Sequence, residues 1–182
     1  MSSGERPAAG RSRWVSSGRP ARGSSRWVAS LVAAGARTGV PVSPELRAGW
    51  DHVNELYEAG DIAGANEYEL RMWVDGPGRT PEMIDPVFRD RVRGMNGALL
   101  DRDDYEGDEI ELDPPAAERL GEITAPTLIV YGDQDIADVQ RAGPPLAQAI
   151  PGARLVVMPN ASHLPQMEQP EAFNELVLEF LR

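Results

Sequence analysis

The last third of the chain holds two short apolar runs, each followed by a helical stretch, and this alternation constrains the fold most. Residues 127–131 (TLIVY) end at Gly132, and residues 154–158 (RLVVM) follow a Pro-Gly turn at 151–152. Short apolar runs bounded by glycine and proline predict buried strands. Strands that alternate with helices over short connections predict a parallel sheet with right-handed crossovers. The predicted fold class is therefore α/β.

The helical stretches beside these strands differ in regularity. Between the strands, residues 143–145 (GPP) are expected to interrupt the helix, because proline lacks an amide donor and clashes with the preceding turn. The final helix is predicted to begin at Pro170. Its apolar residues recur at helical spacing and predict one packed face. They are Phe173, Leu176, Val177, Phe180 and Leu181.

Residues 44–100 predict a separate layer of three helices. Ser43, Asp61 and Asp85 are suited to cap their amino ends, and a proline follows both Ser43 and Asp85. Gly60 and residues 76–78 (GPG) are expected to end the first two helices. The predicted apolar stripes are Leu46, Trp50, Val53 and Tyr57, then Ile62, Ala65, Tyr68 and Met72, then Val87, Phe88, Val92 and Met95.

Composition limits the partners and the compartment. The formal net charge is −11, and an acidic surface repels nucleic acid and anionic membranes. No apolar run is long enough for a membrane span and no secretory signal is recognisable, so a cytoplasmic protein is expected. With no cysteine, thiolate metal sites are excluded. Residues 101–113 are rich in acids but do not match the spacing of a calcium loop, so no metal site is predicted.

The amino-terminal part is less regular. Residues 1–24 are rich in Ser, Gly, Arg and Pro and predict a disordered or non-native basic tail. A basic arm for nucleic acid is the less favoured alternative. Residues 27–34 (WVASLVAA) are compatible with a buried strand, although the run is too short to distinguish a strand from a helix.

Two titratable residues lie directly after the two predicted strands. Asp135 follows the first strand and His163 follows the second. In open parallel sheets, ligands bind beyond the carboxyl ends of the strands, so the two side chains are expected to meet there. A carboxylate beside an imidazole fixes its tautomer and stabilises the imidazolium, as nucleophilic catalysis requires. Taken singly, each is more often a turn residue or a solvated side chain.

The two segments PTLIVYGDQD and ARLVVMPNASHLPQMEQPEAFNELVLEFL closely resemble the carboxyl-terminal part of α/β-hydrolases. The resemblance implies that Asp135 is the acid and His163 the histidine of a Ser-His-Asp triad. It also implies that Glu168-Gln169-Pro170 leads into the closing helix and that residues 44–100, with the segment MWVDGPGR, form the cap inserted before the acid. The implied fold is a partial α/β-hydrolase fold: carboxyl-terminal parallel strands flanked by helices, plus a helical cap.

The sequence contains no Gly-x-Ser-x-Gly pentapeptide, which carries the nucleophile in this family. Ser162 is not a credible replacement, since neighbouring side chains on one loop rarely face each other. The expectation is a truncated chain that lacks the nucleophile elbow and is inactive as given. Its parent would hydrolyse an ester, a lactone or a related small acyl substrate, without a cofactor. The alternative is a non-catalytic fragment or interaction module.

The expected organisation follows from these assignments. Residues 1–24 are the tail, 25–43 a remnant core strand and loop, 44–100 the cap, 101–115 an acidic linker and 116–182 the core with the acid and histidine loops. Small molecules are the expected partners, together with self-association through an exposed sheet edge. Four cap residues are weaker candidates for a substrate pocket, and at helical spacing they are more often plain core. They are Trp50, Tyr68, Met72 and Trp73.

Overall fold

The computed structural model describes residues 28–101 and 112–182, which form a three-stranded parallel sheet flanked by helices and a separate helical layer. Short segments of π- or 3₁₀-helix lie between several of the longer elements. The strands and α-helices are β1 (Leu31–Ala34), α1 (Pro44–Glu58), α2 (Ile62–Leu70), α3 (Pro86–Leu100), β2 (Thr127–Gly132), α4 (Ala137–Ala149), β3 (Arg154–Met158), α5 (Pro165–Glu168) and α6 (Pro170–Phe180).

The sheet has the order β1-β2-β3, with all neighbours parallel. In its register Ala33 lies beside Ile129, and Ile129 beside Leu155. All six residues of β2 are buried, because helices cover both of its faces. Successive side chains point to opposite faces of a strand, so Leu128 and Val130 pack on one side of the sheet while Ile129 packs on the other.

Each face of β2 has its own helix. The face of Leu128 and Val130 packs against α6 through four of the five residues in the predicted stripe. The fifth, Leu181, is 54% exposed and follows the end of the helix. The face of Ile129 packs against Leu146 in α4 and against Ile150 just beyond it. The sheet therefore holds the carboxyl ends of β2 and β3 side by side.

The amino-terminal apolar run is a strand and not a helix. It spans Leu31–Ala34 and pairs with β2 along its whole length. Its residues are half-buried or exposed and not fully buried. The reason is its place at the edge of the sheet, where β2 covers one side of the strand.

The caps of the first three helices are those that the sequence predicts. Ser43 Oγ accepts a hydrogen bond from the amide of Leu46 at 3.1 Å, and Asp61 Oδ1 accepts one from Gly64 at 2.9 Å. Asp85 Oδ1 accepts the amide of Val87 at 2.8 Å. These bonds satisfy amide donors that the first turn of a helix leaves free.

The predicted interruption of the helix between β2 and β3 is wrong. The helix α4 continues through Pro144 and Pro145, although both remove an amide hydrogen bond. Its opposite face holds it on the sheet: Val139 and Ala142 are buried there, and a Cβ at Gly143 would overlap the ring of Tyr131.

In α3 the predicted stripe is only partly correct. Phe88 is buried with Val92 packed nearby, whereas Val87 and Met95 are 68% and 55% exposed. Arg89 is buried in place of an apolar residue, because Asp75 provides a buried counter-charge for it.

Residues 1–24 and most of the acidic segment lie outside the described residues, and the division of the chain into segments stays a prediction. No helix in residues 28–101 or 112–182 is both long and apolar enough to cross a membrane.

Candidate active site

Asp135 lies three residues beyond β2, and its side chain is fully buried. Its Oδ2 lies 2.9 Å from Nδ1 of His163, so the expected contact between the two side chains is present. Its Oδ1 accepts the amide hydrogen of Ile136 at 2.7 Å. Gln140 donates to the backbone carbonyl of Asp135 at 2.6 Å, which ties the acid loop to α4. Both carboxylate oxygens are therefore engaged, and the acid has one orientation.

The histidine loop is joined directly to the acid loop. Asn160 adopts a left-handed backbone with φ 57°, which asparagine tolerates, and its amide donates to Asp133 Oδ1 at 2.7 Å. Gly132 meets the backbone of Ala161 so closely that a Cβ there would overlap its carbonyl oxygen. This close approach brings the two loops together at the carboxyl edge of the sheet.

The imidazole of His163 is bounded by the cap and by β1. Its ring lies 4.5 Å from the Trp73 ring between centroids, and its backbone amide donates to the Trp73 carbonyl at 3.2 Å. On another side lies Gly35, where a Cβ would come within 2.8 Å of Cε1. The side chain of His163 is 19% exposed, so the imidazole is accessible while the carboxylate beneath it is not.

The four pocket candidates lie in different places. Trp73 contacts His163, as described above. Tyr68, in α2, and Met72, in the π-helix Arg71–Asp75, pack against α1, where both approach the position of a Cβ at Gly49. Trp50 lies under the guanidinium of Arg37 at 5.6 Å. The structure thus brings Trp73 to the pair, while the contacts of the other three are within the cap or at its base.

A cavity of about 470 Å³ lies away from this pair. Apolar residues near the start of β1 and the 3₁₀ turn Ala116–Glu122 line it, including Leu31, Leu120 and Ile123. Neither Asp135 nor His163 belongs to its lining. The acid and base lie at the opposite, carboxyl end of the strands, so this cavity is separate from the acid–base pair.

Ser162 is buried, and its hydroxyl is already engaged. Its Oγ donates to the Val74 carbonyl at 2.7 Å and lies 3.2 Å from Glu168 Oε2. A hydroxyl that donates to a buried carbonyl is not free to attack a substrate. The structure therefore gives Ser162 a bonding role between the cap and the histidine loop.

A buried ion pair in the cap was not foreseen from the sequence. Arg89 binds both oxygens of Asp75 at 2.8 Å, and it also contacts Glu67. Hydrogen bonding to Arg89 holds the pKa of Glu67 below its usual value, and the two carboxylates raise the pKa of Arg89. Asp75 ends the π-helix that carries Trp73, so this pair anchors the segment packed on His163.

Within residues 28–101 and 112–182, no cluster of three or more His, Asp or Glu side chains is arranged to hold a metal ion.

A family model described as "Alpha/beta hydrolase family" matches residues 8–176. The chain belongs to the α/β-hydrolase family. The match begins at residue 8, within the segment that the sequence predicts to be a tail, so part of that segment is similar to the family.

Individual relatives agree with this assignment. The chain is 32% identical over 161 residues to a 2-hydroxy-6-oxononadienedioate/2-hydroxy-6-oxononatrienedioate hydrolase of Klebsiella pneumoniae subsp. pneumoniae, covering 84% of this chain and 54% of the relative. A hydrolase from Pseudomonas aeruginosa has a TM-score of 0.58 at 26% identity, covering 84% of this chain and 55% of that one.

An esterase from Thermogutta terrifontis shares the fold with a TM-score of 0.59 at 22% identity, covering 85% of this chain and 56% of the esterase. The hydrolase-family chain thus spans about half the length of the relatives that it matches.

Proposed function

We propose that Asp135 and His163 are the acid and general base of a serine-type hydrolase site that acts on an ester, a lactone or a related small acyl substrate. The observation that carries the proposal is the 2.9 Å contact between a fully buried carboxylate and a partly exposed imidazole. The hydrolase of Klebsiella pneumoniae supports hydrolytic chemistry in this family.

The chemistry follows from the two nitrogen atoms of the ring. With Nδ1 held against Asp135, the proton resides on Nδ1 and leaves the lone pair of Nε2 available. Nε2 of His163 would take the proton of an attacking hydroxyl and later return it to the leaving group. Asp135 would stabilise the imidazolium that forms. The reaction needs no cofactor.

The attacking serine would come from outside these 182 residues, since the sequence has no Gly-x-Ser-x-Gly pentapeptide. We therefore expect the 182-residue chain to hydrolyse a simple aryl ester no faster than background. An imidazole without a hydroxyl to activate lacks the nucleophile on which most of the rate enhancement depends.

The experiment joins this chain in frame to the part of the Klebsiella pneumoniae relative that lies outside their match. The chimera should hydrolyse p-nitrophenyl acetate. His163→Ala should then lower kcat by roughly 10³-fold or more, and Asp135→Asn by up to about 10⁴-fold. His52→Ala is the matched control: His52 is the other histidine of the chain, lies exposed on α1, and should leave kcat unchanged.

A chimera whose turnover does not depend on His163 would contradict the proposed role of the pair. Robust ester turnover by the 182-residue chain that His163→Ala abolishes would contradict the external serine, because the nucleophile would then lie within this chain.

A second candidate function is self-association. β1 is an edge strand, and no strand pairs with its outer edge in the described part of the chain. Edge strands offer unpaired backbone groups to other chains. Analytical ultracentrifugation should show a concentration-dependent dimer that Ala33→Lys weakens. A monomer at all concentrations would contradict this proposal.

A further inference from the structure

We propose that Arg79 is a positioning residue for His163, acting by fastening the cap segment that holds the imidazole to the loop that carries it. This inference rests on the proposed function of the Asp135–His163 pair. It concerns how that pair is kept in place, and the cap and core both contribute to it.

The first step is the contact between the cap and the histidine. The π-helix Arg71–Asp75 presents the Trp73 carbonyl to the amide of His163 and the Trp73 ring to its imidazole. One residue earlier in the loop, the Ser162 hydroxyl donates to the Val74 carbonyl. A displacement of this turn would therefore move the imidazole relative to Asp135.

The second step is what holds the π-helix at its carboxyl end. The last carbonyls of a helix have no partner within it. Arg79 supplies donors to two of them: Nη2 donates to the Val74 carbonyl at 2.8 Å and Nε donates to the Asp75 carbonyl at 2.6 Å. The planar guanidinium thus closes the end of the segment that carries Trp73.

The third step connects the same guanidinium to the core. Nη1 of Arg79 donates to Glu168 Oε1 at 2.6 Å and to the Asn160 carbonyl at 3.3 Å. The other carboxylate oxygen of Glu168, Oε2, accepts the amide of Ser162 at 2.8 Å. Both ends of the connection therefore reach residues that adjoin His163, one in the cap and one in its own loop.

The environment of this ion pair favours a defined geometry. The Arg79 and Glu168 side chains are 11% and 12% exposed, so solvent screens their interaction much less than it screens a surface pair. Arginine reaches several acceptors at once with a rigid fork, which lysine cannot do. Gly76, which follows the π-helix, also packs closely on the acid loop: a Cβ there would overlap the carbonyl oxygen of Gln134 beside Asp135.

The test is NMR spectroscopy of the His163 ring in the 182-residue chain, with His52→Gln as background to leave one histidine signal. In this background Arg79→Met should speed solvent exchange of the His163 Nδ1 proton by about tenfold or more and shift the ring ¹⁵N resonances. Arg79→Lys should restore part of the protection, because it keeps the charge. Arg154→Met is the matched control, since Arg154 is 48% exposed at the start of β3, pairs with Glu179 and should leave the ring signals unchanged.

A purely structural role for Arg79 would lower the free energy of unfolding and leave the His163 signals of the folded protein as they were. That result would overturn the inference. If Arg79→Met does not fold, the same His163 signals are measured in Arg79→Lys and Glu168→Gln. An unchanged exchange rate of the Nδ1 proton in both variants would also overturn the inference.

The outcomes also separate this inference from the proposed function. Suppose that the His52→Gln chain shows the protected Nδ1 proton and that Asp135→Asn removes it. If the Arg79 variants then leave this proton unaffected, the inference alone fails. If the His52→Gln chain shows no protected Nδ1 proton, the acid–base pair itself is wrong and both proposals fail.

Discussion

Replacing Arg89 by methionine should destabilise the chain severely, because it leaves the Asp75 carboxylate buried without a counter-charge. The Arg89 and Asp75 side chains are 5% and 2% exposed and share two hydrogen bonds of 2.8 Å. Breaking a buried pair by removing one partner typically costs about 3–5 kcal/mol. The further contact with Glu67 adds little, since that carboxylate is 36% exposed and screened.

A loss of that size should be visible in two assays. For a chain of this length, 1 kcal/mol corresponds to about 2–4 °C in Tm, so Arg89→Met should lower Tm by roughly 6–20 °C. Urea unfolding followed by circular dichroism gives the free energy itself. Asp75→Asn combined with Arg89→Met should recover part of the loss, because the buried charge is then gone.

The control for this variant is one turn along α3. Arg93 is 42% exposed and pairs with Asp90 and Glu67 at the surface, so Arg93→Met should cost less than about 1 kcal/mol. An Arg89→Met cost as small as that of Arg93→Met would refute the reasoning about burial. So would a double variant that is less stable than Arg89→Met alone.

Two further changes test single contacts. Burial raises the pKa of Glu69 above 4.5, partly offset by a hydrogen bond from Asn96, so the folded state disfavours the carboxylate and loses stability as pH rises above 4.5. Glu69→Gln should therefore increase the urea midpoint at pH 7 and not at pH 4; an equal effect at both values would contradict this. Gly35→Ala places a Cβ 2.8 Å from Cε1 of His163 at a φ of 62°, so it should shift the His163 NMR signals and lower stability by roughly 1–3 kcal/mol. Unchanged signals would show that the ring tolerates it.

The elements that the sequence predicts well are those with a local cause. Strand β3 has the predicted bounds, because a continuous apolar run between turn residues is a local signal. The caps at Ser43 and Asp61 depend on side chains next to the first turn. The placement of Asp135 and His163 together follows from the parallel order of two strands, which short connections make easy to infer.

The features that the sequence does not predict depend on distant partners. Arg89 is buried because Asp75 lies 14 residues away in another element, and no helical pattern shows this. Arg79 reaches Glu168 across 89 residues. The two prolines of α4 break a local rule and are tolerated because the far face of the helix packs on the sheet. In each case tertiary packing outweighs the local preference.

The central claim is that Asp135 holds His163 as a base, and the tautomer of the His163 ring tests it most directly. In the His52→Gln background, long-range ¹H–¹⁵N NMR spectra at a pH where the ring is neutral report which nitrogen carries the proton. We expect a protonated Nδ1 whose proton exchanges slowly with solvent, and we expect Asp135→Asn to lose both features. A ring protonated mainly on Nε2, or a mixture of tautomers that Asp135→Asn does not change, would contradict it.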